Sequence, residues 1–98
     1  MNYLIVYDIS SDRIRTKIAD QLVAHSYDRL QLSVFSGLYH PRHFPQLWEN
    51  IRRLLADEPE AKFFVIPLPD SSLRDMTVLG QYRPDIDYLT GDKDSMFF

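Results

Sequence analysis

Tyr3-Leu4-Ile5-Val6-Tyr7, closed by Asp8-Ile9-Ser10-Ser11-Asp12, is the stretch that decides the architecture. Five β-forming residues without a charge predict a buried central strand, and the polar cluster ends it. The next segment has a different period. Ile14, Ile18, Leu22 and Val23 recur at helical spacing as far as His25, with Ser11 or Asp12 placed to cap the first turn. Arg13, Lys17 and Asp20 fall on the opposite face.

From Arg29 to Tyr39 the pattern returns to strand. Leu30, Leu32 and Val34 alternate with Gln31, Ser33 and Phe35, and Ser36-Gly37 permits a hairpin or bulge before Leu38-Tyr39. Two strands and one bent strand both satisfy that pattern. The second helix is the clearest element, with Phe44, Leu47, Trp48, Ile51, Leu54 and Leu55 in one apolar stripe. Pro45 stands at its first turn, and Asp57-Glu58-Pro59-Glu60 ends it. Lys62 to Leu68 contains Phe63-Phe64-Val65-Ile66, a further buried strand bounded by Pro67 and Pro69. Met76-Thr77-Val78-Leu79 predicts a last short strand before Gly80.

The order is β-α-β-β-α-β with one extra strand, an α+β, ferredoxin-like plan. Residues 1–80 form the expected domain. Residues 81–98 form an acidic tail that keeps Tyr82, Ile86, Tyr88, Leu89, Met96, Phe97 and Phe98, apolar groups that need something to dock on. With 98 residues, one small core is available, and self-association would help its stability.

Charge is uneven along the chain. The net charge is −3, yet residues 1–56 hold seven Lys/Arg against five acids, and residues 57–98 hold four against nine. A nucleic-acid surface therefore belongs in the first half. The absence of cysteine excludes disulfides, thiolate metal sites and thiol nucleophiles. Met1 to Val6 meets Asp8 too soon and lacks a basic leader, so no signal peptide is expected. No run approaches the roughly 20 apolar residues of a membrane span. The expected location is the cytoplasm, without a membrane.

Asp8 ends a rigid strand, which suits a hard divalent cation such as Mg2+ or Mn2+. It equally suits a turn aspartate bonded to nearby backbone N–H groups. No neighbouring acid completes a ligand set, so a metal site here needs a second Asp8 across a two-fold axis. Arg13, Arg15 and Lys17 open the first helix as a phosphate clamp or as an ordinary solvated face. Pro41 separates His40 from His43 and spoils a zinc pair. No Walker loop, dinucleotide fingerprint or nucleophile elbow is present. Tyr3, Tyr7, Phe35 and Tyr39 fit core or dimer packing better than an RNA-stacking platform.

Three ordered blocks carry a resemblance: Tyr7-Asp8-Ile9-Ser10, Arg13-Ile14-Arg15-Thr16-Lys17-Ile18-Ala19, and Asp28-Arg29-Leu30-Gln31-Leu32-Ser33-Val34-Phe35-Ser36-Gly37. Together they resemble the hallmark run of the smaller universal CRISPR adaptation protein. The match is strong from residue 3 to about residue 40, looser to Leu79, and absent from the last eighteen residues.

The resemblance implies a homodimer in which Met76 to Gly80 is a strand exchanged onto the partner's sheet. It implies an integrase partner and support for the duplex DNA of a captured spacer precursor. It further implies a metal-dependent endonuclease acting on single-stranded RNA or double-stranded DNA. Asp8 matches that family's metal-binding and catalytic aspartate. Arg15, Arg29 and Phe35 match motif positions linked with it, and Tyr7 lies in the same run as a supporting residue. Arg13 and Arg15 match basic positions used on duplex phosphates, with Lys17 and Arg29 as further nucleic-acid contacts. Two departures stand out: Ser26-Tyr27 replaces a glycine before the second strand, and Lys17 replaces an arginine. A stand-alone ferredoxin-like toxin ribonuclease is the alternative; it needs no integrase and slows growth when expressed alone.

Overall fold

The computed structural model of the protein describes residues 1–91. Its sheet has four antiparallel strands: β1 (Asn2–Asp8), β2 (Asp28–Gln31), β3 (Val34–Gly37) and β4 (Lys62–Leu68), in the order β2-β3-β1-β4. Helices α1 (Asp12–Ala24) and α2 (Pro45–Leu55) provide the crossovers, which gives the ferredoxin-like plan. Alternation along β1 decides which face is covered. Ile5 and Tyr7 are buried, and across the ladder they meet Phe35, Val65 and Phe63. With Ile14, Ile18, Leu22, Leu47 and Ile51 from the two helices they form the core.

Side chains of the opposite parity, Leu4, Val6, Val34, Phe64 and Ile66, lie on the other face of the sheet. Phe64 is 53% exposed and Ile66 41% exposed, so β4 is not the fully buried strand its apolar run suggests. It is an edge strand of the sheet, which is why Pro67 fits within it opposite Tyr3. The tail covers part of this face. Asn2, itself buried, donates from Nδ2 to the Leu89 carbonyl at 2.7 Å, and Leu89 is buried in the short helix α4 (Ile86–Leu89). Met96, Phe97 and Phe98 lie outside the described residues.

Local chemistry fixes the helix ends. Ser11 caps α1 by accepting from the Ile14 amide, while Asp12 occupies the first turn. At the other end Ser26 N–H donates to the Val23 carbonyl and Tyr27 N–H to the Leu22 carbonyl, a Schellman closure. Ser26 takes the left-handed conformation this closure requires, with φ of 69°. Ser26 thus supplies the backbone shape for which the resemblance implies a glycine. Val23 is 55% exposed; Ala19 takes its place in the buried stripe.

The structure corrects the turn between the second and third strands. The β2–β3 turn falls at Leu32-Ser33, not at Ser36-Gly37, and the ladder is bulged between Arg29 and Gln31. Leu32 is consequently a turn residue and not a strand residue. Gly37 sits inside β3 for a packing reason: a Cβ there would run into Cδ1 of the buried Tyr27 ring. Met76 to Leu79 is neither helix nor strand in the single chain, and Leu79 is 93% exposed. A short helix not foreseen from sequence, α3 (Asp70–Arg74), precedes it and buries Leu73.

Candidate functional site

Asp8 is the last residue of β1, and three other chain segments converge on its end of the sheet. Tyr7 N–H donates to the Ser33 carbonyl of the β2–β3 turn at 3.1 Å, and Asp8 pairs with Lys62 at the start of β4. The Ile9 to Ser11 loop then leads into α1. The side chain of Asp8 is exposed and shares the uncovered sheet face with Leu4 and Val6. Lys62, also exposed, stands on that face directly across the ladder, where paired Cβ atoms are about 5 Å apart. No sequence pattern points to Lys62, because only the register brings it beside Asp8.

The supporting residues are held firmly. Tyr7 stacks between Phe35 and Phe63, with ring centroids 6.2 and 6.0 Å away. Burial raises the pKa of its phenol, while the charges of Arg29 and Arg15 pull in the opposite direction. Arg29 lies over the Phe35 ring, 5.3 Å from its centroid, and Nη2 donates to the Leu32 carbonyl at 2.7 Å. This guanidinium therefore closes the β2–β3 turn. Arg15 donates from Nη1 to the carbonyls of Ile9 at 2.8 Å and Ser10 at 3.2 Å, and it pairs with Asp12. It braces the loop that leads on from Asp8.

The sequence-derived set thus separates into two groups. Tyr7, Arg15, Arg29 and Phe35 gather on the helix-covered side at one end of the sheet, and Asp8 stands at the same end on the opposite face. Arg13 and Lys17 stand one helical turn apart on the exposed side of α1, with no hydrogen bond or ion pair among the described residues. Lys17 borders a groove between α1 and α2, which also contains Arg53. The histidines are occupied locally: His43 stacks on Tyr39 at 4.6 Å, and His40 Nδ1 accepts from the Arg42 amide at 3.0 Å. Burial and the Arg42 charge lower the pKa of His40.

Among the described residues no cluster of three or more His, Asp or Glu side chains converges to hold a metal ion. Asp8 alone can supply one carboxylate, which suits Mg2+ only with water or a second chain completing the shell. No described helix is long and apolar enough to cross a membrane.

Known proteins resemble this chain in sequence and in fold. The family model described as CRISPR associated protein Cas2 matches residues 1–76. A CRISPR-associated endoribonuclease Cas2 of Pyrobaculum aerophilum is 39% identical over 54 residues, which is 55% of this chain and 59% of that protein. One from Synechocystis is 33% identical over 79 residues, covering 81% of this chain and 84% of its own. Among solved structures, Cas2 of Streptococcus pyogenes superposes with a TM-score of 0.66 at 23% identity, over 82% of this chain and all of that one. A hypothetical protein from Thermus thermophilus gives 0.62 at 34% identity, over 82% of this chain and 90% of its own. With three quarters of its length in that family model and the same sheet behind it, the chain belongs to the Cas2 family of CRISPR-associated proteins.

Proposed function

We propose that the protein acts as a homodimer in CRISPR spacer acquisition, holding nucleic-acid phosphates and cleaving phosphodiester bonds at a site shared by two Asp8 carboxylates. One observation carries this reading: the exposed Asp8 lies on the same uncovered sheet face as Val6, Phe64 and Ile66. An apolar face of this kind seeks cover. A second copy packed there about a two-fold axis presents the same residues twice, and so supplies the second carboxylate a single chain lacks.

Asp8 would hold a magnesium or manganese ion, which supplies a bound water of lowered pKa for attack on phosphorus. The chain's own groups do the remaining work. Tyr7 and Arg15 fix the end of β1 so that Asp8 is presented from a rigid strand. Lys62 places a cation on the same face for a phosphate oxygen. Arg13 and Lys17 offer sequence-independent grip on duplex DNA or single-stranded RNA. An integrase subunit is the assembly partner, and Met76 to Gly80, which follows α3 and joins no strand of the chain's own sheet, is the segment available for exchange onto the second sheet.

The test compares wild type with Asp8→Ala for Mg2+-dependent cleavage of single-stranded RNA and duplex DNA, after matched purifications. Asp8 is exposed, so its truncation should change stability by less than about 0.5 kcal/mol. Cleavage lost with Asp8 supports the shared site. Equal cleavage by both proteins removes Asp8 from the chemistry and leaves the nucleic-acid-holding role.

A further inference from the structure

Helices α1 and α2 carry an excess of positive charge on an otherwise acidic chain. Arg13, Arg15, Lys17, Arg52 and Arg53 stand against Asp12, Asp20 and Glu49. Arg15 and Asp12 neutralise each other. On α2, Arg52 Nη1 reaches Glu49 at 2.9 Å and Arg53 Nε reaches the same carboxylate at 3.5 Å, so two guanidiniums share one negative charge. Arg13 and Lys17 have no acidic partner among the described residues, with Asp20 the remaining exposed acid of α1.

These charges border a groove of about 470 Å³ lined by Lys17, Gln21, Asn50, Arg53 and Leu54. Two of its lining residues, Gln21 and Asn50, are amides. Asn50 Nδ2 donates to Gln21 Oε1 at 3.1 Å across the helix pair, and Gln46 Nε2 donates to Asn50 Oδ1 at 3.0 Å. That chain of bonds fixes the amide orientation and leaves Gln21 Nε2 as a donor without a partner among the described residues.

We infer that this α1–α2 groove is a second phosphate-binding surface, in which Lys17, Arg53 and Gln21 engage the backbone of a nucleic acid whose strand also crosses Arg13. Its location differs from the Asp8 end of the sheet, and α2 takes part through Arg53, a residue outside the motif run. Arg13 and Lys17 are about 6 Å apart along α1, and one strand of a duplex presents a phosphate every 3.4 Å of axis, so the stripe faces about two phosphates. A protein partner suits the groove less. Leu54 is its single apolar lining residue, whereas protein interfaces rest on buried aromatic or aliphatic anchors. Phosphate contacts need cations and N–H donors, and those are present.

The inference rests on the nucleic-acid-binding part of the proposed function, and the test separates the two. Fluorescence anisotropy of a short labelled DNA duplex would be followed across a salt series for wild type, Lys17→Ala, Arg53→Ala and, as a control, Arg42→Ala in the turn before α2. All three side chains are exposed, so unchanged thermal midpoints confirm folding. In a dimer, Lys17→Ala and Arg53→Ala should each lower the slope of log K against log salt by about 2, one phosphate per chain, while Arg42→Ala matches wild type. Lys17 also belongs to the proposed grip of α1, so Arg53→Ala separates the two readings. Wild-type binding with an unaltered slope in Arg53→Ala and a lowered one in Lys17→Ala overturns the groove and leaves the proposed function standing. Unaltered slopes in both overturn the groove and the grip of Lys17 together. No wild-type binding at low salt overturns both.

Discussion

Phe64→Ala tests the step on which the shared site depends, because it changes the uncovered sheet face without touching Asp8. In the single chain the ring is 53% exposed. A phenylalanine buries 150–250 Å² when fully enclosed, so about 100 Å² per chain remains to be covered by a partner. At about 25 cal/mol per Å², and after deducting the Cβ that alanine retains, its loss removes about 2 kcal/mol per chain. A two-fold interface counts it twice. The dimer should weaken by about 4 kcal/mol, close to a thousandfold in Kd. The difference between variant and wild type is safer than an absolute area sum, since the ordering costs of association largely cancel.

Sedimentation velocity over a protein dilution series reads the Kd directly, and far-UV circular dichroism checks that the monomer remains folded. Nuclease activity provides a second readout. Below the variant's Kd, Asp8-dependent cleavage should disappear; at high protein concentration it should return, because each chain still carries its carboxylate. A Kd shifted by less than about tenfold would refute the reasoning, since it would mean that Phe64 remains outside the interface. Cleavage that survives in a demonstrated monomer would break the link between dimer and site.

Local geometry sets the other expected outcomes. Gly37→Ala drives a Cβ into the Tyr27 ring, which is buried and donates its hydroxyl to the Tyr39 carbonyl at 2.5 Å; urea titration should show a loss of about 3 kcal/mol, much reduced in a Tyr27→Ala background. Ser26→Gly relieves a left-handed φ of 69° and should raise stability by about 1 kcal/mol in the same assay. Burial raises the pKa of Asp28, so the folded state binds its proton more tightly than the unfolded chain. Stability from this group therefore falls as pH rises from the unfolded value of 3.8 through the folded one. Asp28→Asn should accordingly raise the urea midpoint at pH 7, with the gain vanishing as pH approaches 3.8. Arg15→Ala removes two charge-assisted hydrogen bonds from the Ile9-Ser10 loop and should cost about 2 kcal/mol while lowering Asp8-dependent cleavage.

Periodicity made β1, α1 and α2 legible, because burial of one face imposes it directly on the residue types. Turn chemistry was less visible. Leu32-Ser33 contains no glycine, proline or asparagine, and the turn is held instead by one local side chain, Arg29 on the Leu32 carbonyl, and one distant group, the Tyr7 amide on the Ser33 carbonyl. Gly37 drew attention as a turn residue, yet its lack of a side chain serves the Tyr27 ring. Met76 to Leu79 has strand composition and no strand in one chain. Composition reports what a segment can do once an edge is offered, and the intrachain sheet does not pair with this segment.

The site divides along the same line. Tyr7, Asp8, Arg15, Arg29 and Phe35 all lie within the three sequence blocks, and β1, the start of α1 and the β2–β3 hairpin bring them to one end of the sheet, with Asp8 on the face opposite the others. Lys62 enters through register and Arg53 through helix packing, long-range relations that no local pattern encodes. The missing carboxylate is further removed again, because a contact across a two-fold axis leaves no second motif in the sequence. What it leaves is a mismatch within one chain: β4 carries the apolar run of a buried strand, yet Phe64 and Ile66 are exposed beside Asp8 on the same face. An apolar surface left open is unfavourable for an isolated chain, and a symmetric pair that covers it presents the bordering carboxylate twice. That mismatch is the physical reason to place the second half of the site on a second copy.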